Sequence, residues 1–165
     1  MIKGKRLIPL IYGGGQELGL RSGTENVPAI SAFGAAAGEG VRCFADRVKT
    51  LSELNTYARE LLSPMVRINS PDGCAAHILN ITLPGIRSET MLNFLSGKGI
   101  CVSAGSACST HSKGVSRALT AFGLTGAEAD SSLRISLSHE NTKEQLDFFA
   151  AALFEGIGRL ARVSK

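Results

Sequence analysis

The sequence predicts an α+β (α/β) fold: a small mixed sheet covered by helices, preceded by one long connecting helix. Three observations carry that expectation. From Val27 to Leu62 apolar residues recur at helical spacing, first Ile30, Phe33, Ala37 and Val41, then Val48, Leu51, Leu54, Tyr57 and Leu61. Beyond Pro64 the rhythm changes, and short apolar runs at residues 65–68, 77–83, 100–103 and 133–137 are separated by helical patterns. Two stretches, Thr125 to Glu128 and Thr142 to Gln145, have the Thr-x-x-Glu/Gln form that opens a helix. The chain is expected to divide at residues 1–26, 27–62 and 63–165.

Taken in order, residues 7–12 are apolar and end in three glycines, which predicts a short strand running into a flexible turn. Pro28 suits the first turn of the long helix, whose interior Gly34, Gly38 and Gly40 are expected to weaken or break. Pro64 stops it. Asn69 to Gly73 has turn chemistry, and Pro84 with Gly85 ends the second strand. Ser88 is the expected N-cap of a helix over 89–96, with Met91, Leu92 and Leu95 facing inward. Residues 115–122 predict a short helix closed by Gly123. The last helix should bury Leu146, Phe149, Leu153, Ile157 and Leu160.

A 165-residue chain can hold one substantial core. Its net charge of +4 is mild, and no Lys or Arg run is interleaved with aromatics, so nucleic acid is not an expected partner. No apolar stretch reaches the length of a membrane span, and no signal-peptide core follows the basic start. The expected compartment is the cytoplasm, with the four cysteines (Cys43, Cys74, Cys101 and Cys108) reduced. Cys74 with His77 and Cys108 with His111 form two Cys-x-x-His pairs, which leaves a tetrahedral zinc site as an alternative, although no metal is expected.

Cys108 lies in a run of small and hydroxylic residues, VSAGSACS over 102–109, with Gly105 and Gly114 on either side. Such a loop suits a reactive thiol, which needs exposure and a setting that favours thiolate. His111 and Lys113 are close enough in sequence to contribute. A polar surface loop that happens to hold a cysteine is the plainer reading. Cys43 and Cys101 sit in apolar contexts and are expected to be shielded, with Cys74 the competing thiol. The stretch 13–26, GGGQELGLRSGTEN, combines bare backbone N–H groups with Arg21, Ser22 and Thr24, a composition that can cradle an oxyanion or phosphate. Its alternative is a connecting loop. Arg134 should point to the opposite side of its strand from Leu133 and Ile135, where a guanidinium can be held for bidentate binding of a carboxylate or simply lie exposed.

Residues 13–26, 102–109 and SLRISL at 132–137 together resemble the pyridoxal-phosphate-dependent cysteine desulfurases of the class V aminotransferase group, in the branch serving iron–sulfur and nitrogen-fixation assembly. The resemblance runs over nearly the whole chain but covers only the C-terminal part of such an enzyme. It implies that residues 1–26 end the large cofactor domain and that 63–165 form the small domain of a fold-type-I enzyme. Ser-x-His-Lys, which holds the cofactor as a Schiff base in the family, is absent from the sequence. The implied reaction converts L-cysteine to L-alanine and leaves a persulfide on Cys108, with His111 a candidate proton donor. Arg134 matches the clamp on the substrate carboxylate, and Thr24, beside Arg21 and Ser22, matches the contact to the cofactor phosphate. Implied partners are a sulfur acceptor or iron–sulfur scaffold protein, and either a second copy or a complementing N-terminal half. Two residues depart from the family pattern: Leu18 stands where arginine is usual, and Ser138 where glycine is common. A non-catalytic module that accepts persulfide or docks scaffolds is the alternative function, and the zinc-binding domain a further one.

Overall fold

The computed structural model describes residues 7–104 and 117–160. The chain forms two compact units, Met1–Phe44 and Ala45–Lys165. Among the described residues no helix is long and apolar enough to cross a membrane.

In the first unit the strand expected at residues 7–12 does not form. That segment bends at Leu10 and Ile11 and is largely exposed, and among the described residues Ser22 N–H donates to Ile11 C=O at 3.3 Å. An apolar run becomes a strand only when a neighbour completes its ladder, and none of the described strands lies beside it. A single 3-10 turn, Glu17–Gly19, follows. Helix α1 (Val27–Leu62) then runs from this unit into the second. Its opening is fixed by the Asn26 side chain, whose Oδ1 accepts from Ala29 N–H at 3.1 Å, with Pro28 in the first turn. The helix is continuous through Gly34, Gly38 and Gly40. The glycines lower its propensity without interrupting it.

The second unit is built on a four-stranded sheet in the order β1-β2-β4-β3, from β1 (Arg67–Ile68), β2 (Ile78–Thr82), β3 (Ser103–Ala104) and β4 (Ser132–Ser136). All three pairings are antiparallel, so the sheet is not mixed as expected. Apolar alternation reports which face a strand buries, not the direction of its neighbour. The expected first strand is trimmed because Met65 and Val66 still belong to the end of α1: both N–H groups donate to Leu62 C=O, at 2.9 and 3.1 Å.

Helix α2 (Ser88–Ser96) has Arg87, not Ser88, as its N-cap; Ser88 is already in the first turn and buried. At its other end Gly99, with φ +77°, reverses the chain while Gly99 N–H returns to Ser96 C=O and Ile100 N–H to Leu95 C=O, each at 3.0 Å. Those two bonds keep residues 99 and 100 with the helix and delay β3 to Ser103. Helix α3 (Arg117–Ala121) occupies the described part of the helix expected at 115–122. Helices α4 (Gly126–Asp130) and α5 (Lys143–Arg159) both open with the reciprocal capping box read from the sequence. Leu79 and Ile81 of β2 and Leu133 and Ile135 of β4 meet Met91 and Leu95 of α2, Leu146, Phe149 and Leu153 of α5, and Leu54, Ala58 and Leu62 of α1 in one core. Each of the larger side chains contributes about 2 kcal/mol by leaving water. The helices therefore take one face of the sheet and leave the other to polar residues.

Candidate functional site

That second face follows from strand alternation. With Leu79, Ile81, Leu133 and Ile135 turned to the core, Asn80, Thr82, Ser132, Arg134 and Ser136 share the other side. The register sets two of these side chains and Ser103 in a row across three strands: Asn80 on β2 is opposite Arg134 on β4, and Arg134 is opposite Ser103 on β3. Arg134 is exposed, as its alternation predicts, and its Nη2 donates to Ser103 Oγ at 3.3 Å. No carboxylate pairs with it among the described residues, whose ion pairs are Arg42–Glu39, Arg59–Asp72, Arg67–Glu128, Lys98–Glu155 and Arg159–Glu155. Residues 1–6, 105–116 and 161–165 contain no Asp or Glu at all. The guanidinium keeps most of its donors for an outside anion, and a carboxylate is its best geometric match.

Beside Arg134 the face is already satisfied. Asn69 Nδ2 donates to Asn80 Oδ1 at 2.7 Å and to Thr82 Oγ1 at 2.8 Å, and Ser132 Oγ donates to Glu128 C=O at 2.8 Å. Asn80 is only 5% exposed, so its amide forms a fixed wall on one side of the arginine. The sequence signals this residue, a lone amide inside an apolar strand, yet the pattern reading passed over it. Ser103 was read as strand without a role, because a serine in a run of serines has no distinguishing neighbour.

The glycine-rich loop of the first unit is organised by its own polar groups. Gln16 Oε1 accepts from Gly23 N–H at 3.1 Å, and Arg21 Nη1 donates to Ser22 C=O at 3.0 Å. Ser22 is 7% exposed and packs against Gly13, where an added Cβ would come within 3.1 Å of Ser22 Cβ. Thr24 and Arg21 are exposed. Glu17, Leu18 and Gly19 all have positive φ, 53°, 58° and 77°, which makes a left-handed turn that is costly for the first two residues. Leu18, the departure from arginine, stands at 99% exposure on that turn. Ser138, the other departure, has a local reason: its N–H donates to Asn141 Oδ1 at 2.7 Å and its Oγ accepts from Glu140 N–H at 3.2 Å. No glycine is required there.

Cys108 and His111 lie outside the described residues. Of the other thiols, Cys43 and Cys74 are half-buried, while Cys101 is exposed, contrary to the shielding expected of it. Val102 and Ile100 on either side of it pack against the core, while Cys101 itself is exposed. It lines a groove of about 470 Å³ with Val102, Glu144 and Phe148, which neither Arg134 nor Ser103 borders. Of the zinc alternative, Cys74 lies 3.6 Å from Arg59 Nη2 and His77 is exposed at the start of β2. The other half of that alternative, Cys108 and His111, lies outside the described residues.

Residues 9–149 match the family model for aminotransferase class-V. The chain belongs to that family. It is 38% identical over 161 residues to a NifS/IcsS protein homolog of Lactobacillus delbrueckii subsp. bulgaricus, covering 93% of this chain and 41% of the relative. It is 36% identical over 165 residues to the cysteine desulfurase IscS of Methanosarcina thermophila, covering 98% of this chain and again 41% of the relative. A solved NifS-like protein superposes with a TM-score of 0.79 at 34% identity, over 96% of this chain and 41% of that one. The chain thus spans about two-fifths of the length of these relatives.

Proposed function

We propose that the chain is the C-terminal part of a cysteine desulfurase, which converts L-cysteine to L-alanine and passes the sulfur on as a persulfide of Cys108. The observation that carries this reading is the exposed Arg134, set in a row of neutral polar side chains with no carboxylate partner among the described residues. An amino acid offers the carboxylate that such a guanidinium binds through two parallel hydrogen bonds. The family membership supports the same substrate class.

The Gly13–Asn26 loop fits a phosphate group on this chain's own chemistry. It offers the Thr24 hydroxyl, the Arg21 guanidinium and glycine N–H groups, and beside Gly15 there is open space within 4 Å of an added Cβ. Pyridoxal phosphate, when bound in the complete enzyme, supplies the electron sink that lets the substrate C–S bond break. Arg134 fixes the substrate carboxylate. The thiolate of Cys108 takes the substrate sulfur, so that an S–S bond forms as the C–S bond breaks, and the carbon left behind gains a proton to become alanine. His111 holds a proton for this exchange. An acceptor or scaffold protein then receives the terminal sulfur, and the working assembly contains a second copy or a complementing N-terminal half. No lysine of this chain lies in a Ser-x-His-Lys sequence, so the chain alone should bind the cofactor weakly or not at all.

The test is a reconstituted enzyme in which the missing N-terminal portion of a relative is supplied. Arg134→Ala should raise the L-cysteine KM about tenfold or more, because charge-assisted hydrogen bonds are lost. Cys108→Ser should end sulfur transfer while the cofactor's absorbance stays. If instead Cys108→Ser retains persulfide formation and Cys74→Ser loses it, the assignment of the nucleophile is wrong. An internal-aldimine absorbance band on the isolated chain would overturn the claim that the chain lacks the cofactor lysine.

A further inference from the structure

We propose that Ser103 is a positioning residue for Arg134, holding from the neighbouring strand the guanidinium that receives the substrate carboxylate. The inference rests on the reading of Arg134 as the carboxylate site. Three features of the sheet support it.

The first is register. Ser103 and Arg134 are directly opposed across β3 and β4, so their side chains leave the same face from Cβ atoms about 5 Å apart. Arg134 Nη2 donates to Ser103 Oγ at 3.3 Å. The second is the inventory of donors. A guanidinium has five N–H groups, and one taken by the hydroxyl leaves enough for a bidentate carboxylate. The third is that no other tether holds Arg134 among the described residues. Arg134 is exposed and makes no ion pair among the described residues, and Asn80, its neighbour on the other side, has its Oδ1 engaged by Asn69 at 2.7 Å.

A long exposed side chain without a tether explores many rotamers, and binding must then freeze them. Ser103 reduces that cost beforehand, because its own backbone is fixed by pairing with β4 and only its hydroxyl turns. Since β3 is two residues long, Ser103 is also its first paired residue, and the sequence continues directly from β3 toward Cys108. The arginine that orders the substrate is thereby linked to the strand from which the nucleophile's segment departs.

The test uses this chain labelled with ¹⁵N-arginine, with the Arg134 side-chain signal assigned by its loss in Arg134→Ala. The wild-type signal should shift on titration with L-alanine, an unreactive amino-acid carboxylate, and not with L-alaninamide. Ser103→Val should weaken L-alanine binding about fivefold and broaden the distribution of Arg134 rotamers, whereas Ser103→Thr, the same shape with a hydroxyl, should stay within about twofold of wild type. Backbone amide spectra of both variants check that the sheet is intact. If the wild-type Arg134 signal is indifferent to L-alanine, or moves as much with L-alaninamide, the carboxylate reading falls and the inference with it. If that reading holds while Val and Thr at position 103 bind alike, Ser103 has no positioning role.

Discussion

Tyr57 shows how one side chain ties two helices and gives them a pH dependence. Its hydroxyl donates to the Asp147 carboxylate of α5, and that bond holds the tyrosine pKa above the ordinary 10.0. A group whose pKa is raised in the folded state stabilises fully below its unfolded value and loses that contribution as pH rises through the folded one. Tyr57→Phe should therefore lower Tm at neutral pH, with the gap to wild type closing above the ordinary tyrosine range; a gap that is constant with pH would exclude the bond as its source. Arg134 was legible because alternation around Leu133 and Ile135 dictates its side of the strand. Ser103 was not, since its role depends on which residue of another strand faces it, a fact of register. Cys101 failed for a related reason: it lies before β3 in a segment without regular structure, where apolar neighbours in sequence do not fix an individual residue's exposure.

Among elements, the two capping boxes were the most legible features, because they are local chemistry at fixed spacing. Thr142 Oγ1 accepts from Gln145 N–H at 3.4 Å while Gln145 Oε1 accepts from Thr142 N–H at 3.2 Å. Thr142→Ala should cost about 1 kcal/mol in denaturant unfolding. The box on α4 contains an ionisable partner. Hydrogen bonds from Thr125 N–H and Oγ1, with the nearby Arg67 guanidinium, hold the Glu128 carboxyl below its ordinary 4.5. Its stabilisation is present above the unfolded value and is lost as pH falls through the folded one. Glu128→Gln should then be less stable than wild type at neutral pH and equal to it in acid, a convergence that melting curves across pH would reveal. Close packing was illegible. At Gly156 an added Cβ would lie 2.7 Å from Met91 Sδ and 3.0 Å from Phe94 Cδ1. Gly156→Ala gains about 1 kcal/mol of helix propensity but should lose about 1–3 kcal/mol to overpacking, a net destabilisation measurable by urea titration. No pattern in the sequence announces which helix will come that near.

On the scale of the whole molecule, the chain exposes an unusual amount of apolar surface. Along α1, Ile30, Phe33, Val41, Phe44 and Val48 all stand in solvent, and so do Leu10, Tyr12 and Leu18 before it. Patches of this kind mark interfaces. The isolated chain should associate on concentration, which sedimentation would detect, and a clean monomer at high concentration would count against it. The form of that association is constrained by the sheet. Its two outer strands, β1 and β3, are each two residues long, and Arg67 on β1 is already engaged by Glu128 at 2.6 Å. So brief a rim presents almost no ladder for another chain to extend. Self-association should accordingly be a side-by-side burial of helices that leaves the far-ultraviolet spectrum unchanged, without the growth of β signal or dye uptake that accompanies fibrils.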